Sequence, residues 1–218
     1  MSILKDTYSI QTAEYIRNLI RQGKLLPGDS IKESLIAETL HISRAPVREA
    51  LLLLDKQGLV SSKPQKGKSV RIFSEREILD SYAVAGILEG AGVSMSFSLW
   101  GEREYADFNR AASRIENLKG TESPEALAEI DNGFHDILLA ACDNAYLIKL
   151  ARESCTMLSK YLYYKLWCTL RTPEKYRQDH AAVIEAIRHG KPVEIEKALR
   201  AHYADLGTRL SHLVYPKG

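Results

Sequence analysis

Leu40-His41-Ile42-Ser43-Arg44-Ala45-Pro46-Val47-Arg48-Glu49-Ala50-Leu51 decides the fold of this chain. The twelve residues read as a tight turn followed by the second helix of a helix-turn-helix. Ser43 is a favourable N-cap, and Pro46 falls in the first helical turn, where a missing backbone N–H costs little. Gly58 supplies the stop. Val47, Ala50, Leu51 and Leu54 have the spacing of a buried helical stripe. Arg44 and Arg48, four residues apart, lie on another face near the helix N-terminus, where a major-groove reader presents side chains to base edges. An ordinary amphipathic helix with two solvated arginines fits the same residues.

The flanks favour the first reading. Ile10, Ala13, Ile16, Leu19 and Ile20 form an apolar helical stripe that ends at Gly23, before the turn Leu26-Pro27-Gly28-Asp29. Glu33 to Leu40 fits the short first helix of the motif, with Leu35, Ile36, Ala37 and Leu40 apolar. After Gly58, Leu59–Lys63 and Ser69–Phe73 are two β-rich runs joined by the basic turn Pro64-Gln65-Lys66-Gly67-Lys68. Three helices and a hairpin make a winged helix. Lys66 and Lys68 suit phosphate or minor-groove contact, and a solvated charged turn is the plainer alternative.

Composition divides the chain in the same place. Residues 1–74 hold 12 Lys/Arg against 7 Asp/Glu, a net of +5, while 75–218 hold 18 against 21, a net of −3. The electrostatic footprint of a nucleic-acid binder therefore belongs to the first module alone. A length of 218 residues suits two small domains, 1–74 and 75–218. No hydrophobic run approaches the ~18 residues that a membrane span needs, and the N-terminus lacks the pattern of a secretory signal. A cytoplasmic protein with no membrane partner is expected. Cys142, Cys155 and Cys168 are odd in number and form no C-x-x-C pair, so buried apolar thiols are expected rather than disulfides or a metal knuckle.

The second module reads as a bundle of about six helices with no strand. Ser74-Glu75-Arg76-Glu77 is a capping box opening a helix to about Leu99, and a second helix fits 102–118. Ser123-Pro124 starts a third, to about Cys142; Asn144 caps a fourth, to about Leu170. Thr172-Pro173 starts a fifth that ends at Gly190, and Pro192 opens the last, to about Leu213.

Asp131, His135, His180 and His202 are the chemistry-bearing candidates. Asp131 and His135 are i and i+4 on one helix, and the other two histidines sit in apolar patterns on the last two helices. Three imidazoles and one carboxylate suit a divalent transition metal, with zinc, nickel, manganese or iron all compatible. Hydrogen-bonded core histidines would give the same pattern. His189 and His212 read as exposed.

The quoted residues, with Leu26-Pro27-Gly28, Leu59-Val60 and Lys66-Gly67, resemble the GntR family of bacterial transcription regulators. The form S-R-x-P-V-R-E-A-L is similar to its FadR/VanR-like branch, and the likeness continues to the C-terminus. The resemblance implies that Arg44, Ala45 and Arg48 face an operator and that Gly67 lies at the wing tip. His41 stands where the family usually has glycine in the motif's turn; histidine tolerates a left-handed backbone better than most residues. In the second module the resemblance is to the FCD domain, which carries D-x-x-x-H on one helix and single histidines on the last two. Asp131–His135, His180 and His202 match, which implies a metal site and a pocket for a small organic acid. Tyr82-Ala83-Val84-Ala85-Gly86-Ile87-Leu88-Glu89 departs from the pattern, with Ala85 where the family has an arginine facing that pocket.

The expectation is thus a homodimeric, metabolite-responsive repressor, mainly α, that binds a palindromic double-stranded operator. Two alternatives stand beside it. One is a metal-dependent hydrolase using the Asp/His cluster, which would need a general base that no H-E-x-x-H supplies. The other is a DNA-binding dimer whose helical half holds only a structural metal.

Overall fold

The computed structural model describes residues 3–63 and 67–216. They divide into two compact units, Met1–Phe73 with Thr156–Lys165, and Ser74–Cys155 with Leu166–Gly218. Helices α1 (Ile3–Arg21), α2 (Glu33–Thr39) and α3 (Arg44–Lys56) precede a hairpin of β1 (Val60–Lys63) and β2 (Gly67–Val70). The antiparallel register pairs Val60 with Val70 and Lys63 with Gly67. The second strand therefore starts and ends earlier than the sequence pattern suggested. The cause is a further partner: Gly28 and Ile31 donate to the carbonyls of Val70 and Lys68, each at 2.9 Å, so the Pro27-Gly28 turn runs along the outer side of β2.

The α3 stripe packs as its spacing predicts, with Val47, Ala50, Leu51 and Leu54 fully buried. Truncating either leucine to alanine costs about 2–5 kcal/mol. On α1, Ala13, Ile16 and Ile20 are buried but Ile10 is exposed; Thr12 takes the inner position, its hydroxyl donating to the Tyr8 carbonyl at 2.7 Å. His41 adopts φ +53, the left-handed conformation that its place in the turn demands. Ser43 occupies the N-cap position with an extended backbone, yet its side chain makes no cap hydrogen bond. Pro46 explains this: it is the third helical residue, so the amide that an N-cap serine ordinarily binds is missing.

The second unit is helical: α4 (Glu75–Ser96) with a 3-10 turn at Phe97–Leu99, α5 (Glu102–Glu116), α6 (Pro124–Leu138), α7 (Ala145–Ser154), α8 (Tyr164–Leu170), α9 (Pro173–His189) and α10 (Pro192–Val214). The Ser74/Glu77 capping box opens α4. Ser123 and Thr172 cap α6 and α9, each followed by proline, and Gly190 ends α9 in the left-handed conformation. Phe108, Phe134, Leu138, Val183, Ile187 and Leu199 anchor a core shared by α5, α6, α9 and α10.

Two expectations need correction. Residues 144–170 do not form one helix: α7 stops at Ser154, Met157–Leu162 is a π-helical segment, and α8 follows. The Tyr163 amide reaches back five residues to the Leu158 carbonyl at 2.9 Å. This stretch packs with α1 in the first unit, and that packing overrides local helix continuity. Secondly, Glu75–Leu99 does contain an 18-residue window long and apolar enough, by length and composition, to cross a membrane. Half of that window is buried, because α4 is the helix on which α10 and α7 pack. The three cysteines are partly, rather than fully, buried.

Candidate functional site

Close approach of α4 and α10 builds the floor of the site. A Cβ on Gly86 would meet Tyr203 Cβ at 3.0 Å and Arg200 Cα at 3.1 Å, and one on Gly90 would meet the Glu196 carbonyl at 3.1 Å. A side chain at either position would crowd α10, so the two glycines suit the close approach of the backbones. Glu89, one turn along and buried, thereby reaches Tyr203, whose hydroxyl donates to Oε2 at 2.7 Å. Its other oxygen accepts from His135 Nδ1 at 2.5 Å.

The remaining imidazoles are oriented by main-chain carbonyls. His180 Nδ1 donates to the Tyr176 carbonyl at 2.8 Å, and His202 Nδ1 donates to the Asp179 carbonyl at 3.0 Å. Asp179 is itself held by Arg209 at 2.6 Å and Lys175 at 2.9 Å, which ties α9 to α10. With each Nδ1 carrying its proton outward, each Nε2 is left with a bare lone pair. Both Nε2 atoms are buried without a hydrogen-bond partner among the described residues. One ring nitrogen from each of His135, His180 and His202 lies within 4.8 Å of the other two.

Asp131 stands beside this triangle. Its Oδ1 is 3.3 Å from His180 Nε2 and 3.6 Å from His135 Nε2. At His180 a lone pair on nitrogen thus faces a carboxylate oxygen, an arrangement that repels unless a cation lies between them. The same oxygen accepts from Arg171 Nη1 at 2.6 Å. The donor set fits a divalent transition metal: neutral imidazole nitrogens, a carboxylate, and outer partners on every ring.

Electrostatics divide the three histidines. Burial lowers the His180 pKa and, with the neighbouring imidazoles, pushes that of His202 well down, so both are neutral. Burial also works against a charged His135, but Glu89 and Asp131 outweigh it and raise its pKa to about 10. Burial opposes ionisation of Asp131; the Arg171 charge and the imidazoles of His135 and His180 prevail and hold it well below the usual carboxylate range. His189 and His212 are exposed and stand apart, with His189 Nδ1 bonded to the Glu185 carbonyl.

The structure therefore brings together all four residues that the sequence marked, and adds three it did not. Arg171, in the short link before α9, reads in sequence as a loop residue. Glu89 and Tyr203 lie in helical patterns that give no sign of their bond across 114 positions.

In the first unit, Arg44, Ala45 and Arg48 are exposed on the face of α3 opposite its buried stripe. The Arg48 Nε donates to Glu33 at 2.8 Å, which sets its guanidinium against α2. Lys68 is not free: its ammonium contacts Asp55 at 2.8 Å and also the Ser62 hydroxyl. Gly67 has φ +75 and open space where a Cβ would lie. Lys66 falls outside the described residues.

Comparison with known proteins agrees with this division. The model of the bacterial regulatory proteins, gntR family, matches residues 9–70, and that of the FCD domain matches 80–205. The chain is similar to the transcriptional repressor GlaR of Escherichia coli, 27% identical over 79% of this chain and 80% of that protein. It is also 23% identical to the regulator YdhC of Bacillus subtilis, over 95% and 92% of the two chains. A solved GntR regulator from Rhodococcus sp. RHA1 superposes with a TM-score of 0.70 at 20% identity, covering 97% of this chain and all of that one. Regulatory domains fill both halves, so the hydrolase alternative falls away. A winged helix joined to an FCD domain makes this chain a member of the GntR family of bacterial transcription regulators, in keeping with its FadR/VanR-like branch.

Proposed function

We propose that the chain is a homodimeric, metal-containing, metabolite-responsive repressor that acts in the cytoplasm on a palindromic operator. The observation that carries the effector half is the pair of buried Nε2 lone pairs on His180 and His202, which have no hydrogen-bond partner among the described residues. Asp131, His135, His180 and His202 would hold a divalent transition metal. When bound, such an ion offers open coordination positions to the oxygens of a small organic acid. Glu89 and the two main-chain carbonyls hold the rings ready, so that little reorganisation is needed on loading.

For the DNA half, Arg44, Ala45 and Arg48 would meet base edges or phosphates in the major groove. Gly67 lets the wing backbone come close to the duplex, Lys66 adds a positive charge next to it in sequence, and Lys68 can exchange Asp55 for a phosphate. Two-fold symmetry matches a palindrome, and exposed apolar side chains along α4 and the turn after it support a dimer: Val84, Ile87 and Met95 on α4 and Leu99 in the 3-10 turn are 42–67% exposed. An effector changes operator affinity only by binding one placement of the paired winged helices better than another.

The test is an operator titration by fluorescence anisotropy at fixed salt, using acids preselected by thermal shift on zinc-loaded protein. The proposal expects at least one acid that stabilises the loaded protein and releases the operator, with both effects abolished by chelator. Operator affinity indifferent to metal and to every stabilising acid would contradict it.

A further inference from the structure

Arg171 is the one buried side chain with a permanent positive charge among the described residues, at 5% exposure. It forms a single hydrogen bond, from Nη1 to Asp131, and its Nε–H is buried with no partner among the described residues. Its guanidinium lies 4.3 Å from the Trp167 ring centroid and 5.3 Å from that of Tyr176, so aromatic walls fix the plane of the fork. A buried ion pair is a poor stabilising device, and an unfilled buried N–H is costly. A rigid guanidinium with a spare donor beside a metal site is suited to a carboxylate.

Charge balance narrows the ligand. A divalent ion and Arg171 together bring three positive charges into a buried site that holds the carboxylates of Glu89 and Asp131. One positive charge is left over, and a buried unpaired charge is strongly disfavoured.

We propose that Arg171 is the residue of this chain that anchors the effector's carboxylate, and that the preferred effector is a monoanion spanning Arg171 and the metal. The inference rests on the metal-and-effector reading above. It makes Arg171 a specificity residue: its fork and charge select an anionic oxygen pair over a neutral amide. A dianion leaves excess negative charge in the site.

The test uses zinc-loaded full-length protein and three four-carbon probes, butyrate, butyramide and succinate, with affinities from calorimetry and zinc content from elemental analysis. The wild type is expected to bind butyrate at least tenfold more tightly than butyramide or succinate. Arg171→Gln is expected to keep its zinc and lose that preference, and Arg171→Lys to retain part of it. Equal binding of butyrate and butyramide by the wild type overturns the inference even where a variant fails to fold. So does unchanged butyrate binding by zinc-loaded Arg171→Gln. Zinc uptake with no carboxylate binding removes the anchor and leaves the metal site standing; no zinc uptake removes both.

Discussion

Loading the FCD domain with metal should expel a proton, and that proton belongs to His135. In the metal-free protein its Nδ1 donates to Glu89 and its Nε2 faces Asp131, so both ring nitrogens see carboxylates and the pKa rises to about 10. A metal needs the Nε2 lone pair and must displace that proton. At pH 7 the group lies about three units below its midpoint, a cost of about 4 kcal/mol at 1.36 kcal/mol per unit. His180 and His202 add nothing to this cost, being neutral already. Titration calorimetry of zinc into metal-free protein, in buffers of different ionisation enthalpy, should therefore give about one proton released per ion at pH 7. Apparent affinity should rise about tenfold per pH unit from 6.5 to 9. The sign for stability follows from the same raised pKa. The contribution of His135 is complete below its unfolded value of 6.5 and is lost as pH rises through about 10. The melting temperature of the chelated protein should fall over that window, and that of the loaded protein much less. Zinc binding without proton release, with a pH-independent constant, would refute the reasoning.

Other perturbations separate the parts of the account. Arg44→Ala should cost roughly 1–3 kcal/mol of operator affinity at fixed salt if the guanidinium reads a guanine edge; an unchanged titration removes Arg44 from the readers. His180→Ala should lower metal content while circular dichroism stays helical, and full occupancy by elemental analysis would sink the proposed ligand set. Ile87→Glu, among the exposed apolar side chains of α4, should shift sedimentation from dimer to monomer, and a dimer of unchanged affinity would place the interface elsewhere.

What sequence could and could not convey follows from the range of the interactions involved. Caps are local, so Ser74/Glu77, Ser123-Pro124 and Thr172-Pro173 were legible at the residue level, and so was the left-handed turn at His41. The Asp131/His135 spacing is local too. The break between α7 and α8 was not legible, because no glycine or proline marks it and packing with α1 sets it. The silent serine cap at Ser43 could have been anticipated, since Pro46 removes the amide it would bind. Glu89 and Arg171 were missed as site residues for another reason: their roles exist only once α4, α6 and the link before α9 are side by side.

The central claim is that Nε2 atoms from three helices, beside Asp131, form a metal centre. Zinc-edge X-ray absorption on protein loaded with one equivalent tests it most directly. The account predicts three imidazole nitrogens at roughly 2.0–2.1 Å with oxygen completing the shell. Sulfur scattering from the cysteines, or fewer than two imidazoles, would contradict it.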